Sequence, residues 1–499
     1  MEVVDLRPLL APLASFACAG LVFASGPRPG WRRFWSFTAA AVKLALVLSM
    51  LPGTLRGVVY RIEVVEFTPG VTLALRADAY GMFFALVSST LWLLTTIYAI
   101  GYMRDEGDRA RFFGFFALCV STTVGVAFAE NLLTLFLFYE TLTIAAYPLV
   151  VHDETPRALR AGRTYLAYTL AGGGFVLIGA IMTLDAAGSM TFVPGGLLSL
   201  DAGYGTLALI FVALITGFGV KAAIMPLHGW LPRAMVAPTP VSALLHAVAV
   251  VKVGAFGVTR TIYDVFGVDL LSGLGFATPL AWLAGATIVA ASLVAMRQRN
   301  LKARLAWSTI SQLSYIVLGA ALLTPLAALA AVVHVAHQAV AKITMFFAVG
   351  AIRRATGVQH VDGLAGMAAR MPWTMGAFAV ASLSFIGVPL FAGFVTKWYL
   401  SLGAIAVGAW WAVGVMLVSS LLNAAYWFEI LHLAYFRRPD GADLPPRRPE
   451  APWTLLVPIL ISALYVVLLG TSADVPGMPF SIAEVAIDAM FGAGWRGAP

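Results

Sequence analysis

The chain has 499 residues, of which 60% are hydrophobic and only 11% charged, with 32 Lys and Arg against 24 Asp and Glu for a net charge of +8. Runs of 18 or more mostly apolar residues recur along its whole length, which excludes a soluble globular enzyme and predicts helices that cross a bilayer. The basic excess falls between those runs, so it is a topology signal rather than the footprint of a nucleic-acid binder.

The expected fold is an all-α polytopic membrane protein of about fourteen transmembrane helices. The spans fall near residues 8–26, 34–54, 80–103, 111–129, 131–151, 163–186, 205–225, 239–262, 277–296, 304–323, 325–351, 372–400, 404–435 and 452–471. Acidic Glu2 and Asp5 precede the first span and no cleavable signal pattern is present, so that span is expected to be a retained helix. After the second span, VVYRIEVVEF and VTLALRAD alternate apolar and polar residues around Pro69-Gly70, which predicts a short surface hairpin.

The loops set the orientation. Arg28, Arg32 and Arg33 follow span 1, Arg104, Arg109 and Arg111 follow span 3, and Arg157, Arg160 and Arg163 follow span 5. Arg233 follows span 7, Arg297, Arg299, Lys302 and Arg304 follow span 9, and Arg353, Arg354 and Arg370 follow span 11. Arg437, Arg438, Arg447 and Arg448 follow span 13, whereas the loops near 188–203, 263–276 and 401–404 carry no Lys or Arg. Basic loops face the cytoplasm, so both termini are expected on the far side of the cell's cytoplasmic membrane.

Only six residues are lysines, and five of them, Lys43, Lys221, Lys252, Lys342 and Lys397, sit inside apolar runs; the sixth, Lys302, reads as part of a basic loop. A lysine at mid-bilayer depth costs about 2.5–3.5 kcal/mol on insertion scales. Unlike arginine, a desolvated lysine can release its proton, so a row of them is a candidate row of proton-binding sites. The competing reading is that each snorkels to an interface, and Lys43, with no helix break and no ionisable neighbour in its span, fits that reading.

One carboxylate lies deep in a span, Glu140 in NLLTLFLFYETLTIAAYPL, and its natural partner is Lys221 in ALITGFGVKAAIMPLHGWLP. Such a pair could switch the lysine's proton affinity or simply join two helices. Gly217, Gly219, Pro226 and Pro232 predict a broken helix around Lys221. In SFIGVPLFAGFVTKWYL, Gly387, Pro389 and Gly393 precede Lys397 in the reverse order, which suggests an inverted relation. His246 and Lys252 share span 8, and His334, His337 and Lys342 share span 11, where His334 and Lys342 lie about two turns apart.

No metal site is expected, because no deep carboxylate or thiol accompanies these histidines. Cys18 and Cys119 lie in different spans and are too few for an iron–sulfur cluster. No redox or nucleotide motif is present, so no cofactor and no catalytic centre of the chain's own are expected.

ENLLTLFLFYE, VKAAIMPLHGWLPRAMVAPTPVSALLHAVAVVKVGAFG, LKARLAWSTISQLSYIVLG, HQAVAKITMFFAVGAI and GVPLFAGFVTKWYL, spanning roughly residues 80–400, resemble one family. It comprises the antiporter-like membrane subunits of complex I, of membrane-bound hydrogenases and of Mrp-type cation/proton antiporters. The resemblance implies two inverted five-helix repeats, each with a broken helix: residues 111–262 for proton uptake and 277–435 for proton exit. Residues 1–110 would hold the N-terminal helices and external hairpin, and 436–499 a C-terminal helix and tail.

By the same resemblance, Glu140, Lys221, Lys252, His246, His334, Lys342 and Lys397 form a proton relay. Where the family usually has a second histidine four residues before the span-11 lysine, this chain has Gln338, with His337 beside it. The length resembles the shorter fourteen-span members, including the Mrp D-type. The expected function is therefore a proton-translocating subunit of a multisubunit cation/proton antiporter. Its partners would be other membrane subunits, the lipid bilayer, protons and Na+ or another monovalent cation, with no nucleic acid. The alternatives are a component of an NADH–quinone oxidoreductase or hydrogenase complex, a component of an inorganic-carbon uptake complex, and a self-sufficient secondary transporter.

Overall fold

The structure is a computed structural model and describes every residue except 27, 69, 105–106, 439–449, 474, 493 and 496–499. Pro69 of the expected turn, and Arg447 and Arg448 of the last basic loop, lie outside the described residues.

Strand β1 (Glu2–Val4) precedes helices α1 (Arg7–Ala24) and α2 (Pro29–Thr54). The expected hairpin follows as β2 (Val59–Thr68) and β3 (Val71–Ala77), antiparallel with Tyr60 opposite Ala77 and a register shift between Glu63 and Val65. β1 adds to it in parallel, Glu2 opposite Val59, so the chain's start and the α2–α3 connection lie on one face.

The helices continue as α3 (Ala79–Tyr102), α4 (Arg109–Ala127), α5 (Leu132–Val150), α6 (Pro156–Ala187), α7 (Tyr204–Lys221), α8 (Trp230–Arg233), α9 (Thr239–Ala247), α10 (Val250–Arg260) and α11 (Val268–Leu274). Then come α12 (Ala277–Arg297), α13 (Leu301–Ala321), α14 (Pro325–Thr356), α15 (Met367–Arg370), α16 (Pro372–Ile386), α17 (Ala392–Ala406), α18 (Trp410–Phe436), α19 (Trp453–Thr471) and α20 (Pro479–Phe491). Side-chain caps start several of them: Asp78 accepts from Gly81 N at 2.7 Å, Asn131 from Thr134 N at 2.8 Å, and Thr324 from Ala327 N.

Among the described residues, twelve helical segments are long and apolar enough to span a bilayer, with α9 and α10 counted as one. The two remaining expected spans are unusual for physical reasons. α13 is long enough but carries Lys302, Arg304 and Gln312, all buried. α16 and α17 are two 15-residue halves of one interrupted span.

Three expectations shift. Gly408, at φ 68°, makes the turn after α17, so that helix runs to Ala406 rather than ending near residue 400. Span 8 is not continuous: Ala249, at φ −94° and ψ −98°, separates α9 from α10, and a π-turn, Thr261–Phe266, extends α10. α20 had no counterpart among the expected spans, being only 13 residues long.

α14 is the organising element. Its 32 residues are buried on nearly every side, against α13, α16, α17, α19, α9, α3 and α20. A helix apolar all round belongs in the interior, and this one carries His334, His337, Gln338 and Lys342 there.

Candidate proton-relay site

The sequence AGFVTKWYL begins a helix only one short turn after another has ended. α16 stops at Gly387, which adopts φ 91°, a conformation open to glycine and strained for other residues. Ser384 Oγ accepts from Gly393 N at 3.0 Å and so joins the two halves across the gap. The break leaves the last carbonyls of α16 without helical partners, and Lys397 reaches back to them. Its Nζ donates to Phe385 O at 2.9 Å, Ile386 O at 2.8 Å and Ser420 Oγ at 2.7 Å. An ammonium has three donors, and all three are used, at the negative end of a helix dipole.

The other break has the reverse order. α7 ends on Lys221 itself, and an irregular stretch with Ala223 at φ 56° leads to α8. Lys221, fully buried, donates to Tyr139 O at 2.5 Å and lies 3.3 Å over the Tyr139 ring. The expected partner, Glu140, is one residue on. Its carboxylate is half-buried against Gly173 of α6, and Oε1 has no hydrogen-bond partner. Lys221 and Glu140 form no direct ion pair; Tyr139 meets the lysine instead, through its carbonyl and its ring. Gly254 lets α10 lie on the end of α7, since a Cβ there would come within 2.6 Å of the Lys221 carbonyl carbon.

Between the breaks, Lys252 begins α10 just after the Ala249 interruption, fully buried, with Nζ unpartnered. His246 ends α9, and both ring nitrogens lack partners while the ring packs 5.1 Å from Phe346. On α14, Lys342 donates to Ser308 Oγ at 2.7 Å and lies 4.2 Å from the Phe385 ring centre. His334 Nδ1 and His337 Nδ1 share one hydroxyl, Thr396 Oγ1, at 3.2 and 2.8 Å. Thr396 immediately precedes Lys397, so α17 carries both the hydroxyl shared by the two histidines and the lysine at the second break. Gln338, where the family usually has histidine, has both side-chain polar atoms unpartnered.

The charges overlap electrostatically. Lys342 is within Coulombic reach of Lys252, and His334 of Lys252, His337 and Lys397. Buried polar atoms are rarely left alone in a protein. Their concentration here, in an interior with broken helices, is what an internal path for protons needs: titratable groups with spare hydrogen-bonding capacity.

Lys43 does not reach an interface as its sequence suggested. It is fully buried, with Nζ 3.9 Å over the Trp92 ring. Lys302 is not in a loop: Asn300 caps α13, placing Lys302 in its first turn, buried, with Nζ donating to Ala237 O at 2.5 Å. The N-cap signal at Asn300 could have located it. Also missed was an ion-pair cluster on the hairpin side, where Arg260 binds Asp264 and Asp78, each at 2.8 Å. The i,i+4 spacing of Arg260 and Asp264 was the readable half of it. Thr396, Ser308 and Ser420 gave no signal in the sequence, because their roles arise only from packing.

Comparison with known proteins identifies the family and the fold. The profile of the family described as "NADH:quinone oxidoreductase/Mrp antiporter, TM" matches residues 129–423, and that of "NADH-Ubiquinone oxidoreductase (complex I), chain 5 N-terminus" matches 67–113. NADH-quinone oxidoreductase subunit N of Desulforudis audaxviator is 34% identical over 89% of this chain and 90% of its own length. A probable K(+)/H(+) antiporter protein of Rhizobium meliloti is 30% identical over 93% of this chain, which spans only 46% of that longer protein. In fold, a chain of the Mrp complex from Dietzia sp. DQ12-45-1b superposes with a TM-score of 0.86 over 99% of both chains at 21% identity. A polytopic bundle with interrupted helices, matched along most of its length by these sequences, makes this chain a member of the NADH:quinone oxidoreductase/Mrp antiporter family of membrane subunits.

Proposed function

We propose that this chain carries protons through the membrane as one subunit of a multisubunit cation/proton antiporter of the Mrp type. The observation that carries the reading is the row of amines inside the bundle, the buried Lys221, Lys252 and Lys342 and the half-buried Lys397, all but Lys342 beside a helix interruption, with His246, His334 and Thr396 among them. Protons enter near Glu140 and Lys221, cross on Lys252 and the α14 groups, and leave near Lys397. The uptake half comprises residues 111–262 and the exit half 277–435, related as inverted repeats; the opposite order of break and lysine supports this division. The basic loops face the cytoplasm, with both termini outside.

Chemically, the relay works by moving one charge among unequal sites. At Lys397 the ammonium is fully hydrogen-bonded, whereas at Lys252 it would have no protein partner. A charge arriving at Lys252 therefore passes on readily. The chain has no energy source of its own in this scheme; an opposing cation gradient supplies it.

The test is Lys252→Arg in vesicles holding the whole complex. Arginine keeps the charge but does not release a proton at working pH. Cation-dependent collapse of ΔpH is expected to be nearly lost, while the complex still assembles. Wild-type flux in the assembled variant would refute the relay.

The similarity to a protein named for NADH–quinone oxidoreductase favours a second reading, the same relay driven by a redox complex. Purification through a tag on this chain separates the two: antiporter subunits support the first, iron–sulfur and quinone-reducing subunits the second.

A further inference from the structure

On the face that carries the arginine loops, a cavity of 860 Å³ opens between α6, α8, α13 and the end of α14. Its charged lining is Arg157, Arg160, Arg233, Arg353 and Lys302, against the carboxylate of Asp153. All but Lys302 lie toward the surface. Lys302 lines the same cavity but is 8% exposed, so it forms the inner wall. Its ammonium donates to Ala237 O, just before α9, and the charged groups facing it are Arg353 and Asp153. His246, whose ring nitrogens have no hydrogen-bond partner, is within Coulombic reach of both Lys302 and Lys342.

We propose that this cavity is a water-filled mouth of the relay and that Lys302 is its first proton-binding residue, exchanging protons between the arginine-lined face and His246. The step is a proton transfer through intervening water, since no hydrogen bond joins the two groups: the Lys302 ammonium releases a proton that reaches an unprotonated His246 nitrogen, and a proton from the arginine-lined face, carried through water in the cavity, restores the ammonium. The inference rests on the proposed relay and adds a second access point to it, distinct from Glu140–Lys221.

The experiment uses inside-out vesicles with the intact complex, in a Cys18→Ala, Cys119→Ala background. Lys302→Cys is expected to lower proton flux at least tenfold. Aminoethyl methanethiosulfonate applied from outside attaches a lysine-like amine and is expected to restore at least half of the flux. The trimethylammonium analogue adds a charge that cannot release a proton and is expected to restore none. Rescue by both reagents would mean that Lys302 supplies only a fixed charge. Flux undiminished in Lys302→Cys, or a cysteine that neither reagent modifies, would equally overturn the proposal. If Lys302→Cys fails to assemble, Lys302→Arg replaces it: loss of flux in the assembled complex supports the proposal and normal flux refutes it. Lys252→Arg runs alongside. Normal flux there refutes the relay itself, whereas its loss with Lys302→Cys unaffected refutes only the cavity's role.

Discussion

At the scale of single residues, this chain separates two kinds of lysine within its apolar spans that composition alone treats alike. Lys397 has three oxygen partners, and Lys43 has an aromatic face and none. Lys43 lies among α1, α2 and α3, away from the α14 groups. Lys397→Ala is therefore expected to stop transport, while Lys43→Met, of similar length and apolar, keeps at least half of it and leaves the complex as heat-stable as the parent or more so. Vesicle flux and a thermal unfolding scan of the purified complex check both halves. Thr396 offers a finer test. One hydroxyl serving two histidines has a single proton, so it donates to one ring and accepts from the other, which couples their tautomers. Thr396→Val keeps the shape and removes the link; flux is expected to drop about tenfold, below the usual size of a positioned proton-transfer effect because the hydroxyl only links the two rings. Thr396→Ser, which retains the hydroxyl, should keep most of it. Equal flux in Thr396→Val and the parent would show the link to be structural.

At the scale of elements, the breaks in α7–α8 and α16–α17 were readable because glycine and proline have local conformational rules that no tertiary context erases. The interruption at Val248–Ala249 was not readable, since neither residue has a preference for it; it results from packing against α7 and α14. The same division explains the site. Lysines and histidines stand out in apolar sequence, but the hydroxyls of Ser308, Thr396 and Ser420 are ordinary helix residues until a neighbour delivers an amine or imidazole to them. Lys302 was misplaced because a dense basic cluster reads as loop, although a cap held it in a helix. Gly387 provides the test at this scale. A Cβ there would meet Lys397 Cδ at 2.8 Å on a backbone at φ 91°. Gly387→Ala is expected to cost about 1–3 kcal/mol, visible as a lower midpoint in thermal unfolding of the complex, and to reduce flux by displacing Lys397.

For the whole molecule, the arginine alternation predicts that a tag near Arg299 reports from the cytoplasm, while tags before Met1 and after Pro499 report from the opposite side. The sheet supports the first terminus independently: β1 is fastened to β2, so the N-terminus shares a face with the α2–α3 connection. Accessibility of single tags in intact cells against inverted vesicles decides it; a cytoplasmic C-terminus would mean that the crossing number after α16 is miscounted. α14 passes through the centre without a break. From His334 to Lys342 it advances about 12 Å at about 1.5 Å per residue, roughly two-fifths of a hydrocarbon layer about 30 Å thick. In the proposed relay, with α14 crossing the bilayer, a proton passed between those positions would move along the membrane's electric field. With about 2.3 kcal/mol per charge for each 100 mV, about 0.9 kcal/mol per 100 mV would act on that single step. On that reading the continuous helix makes the middle of the relay sensitive to the membrane potential as well as to the pH on either side.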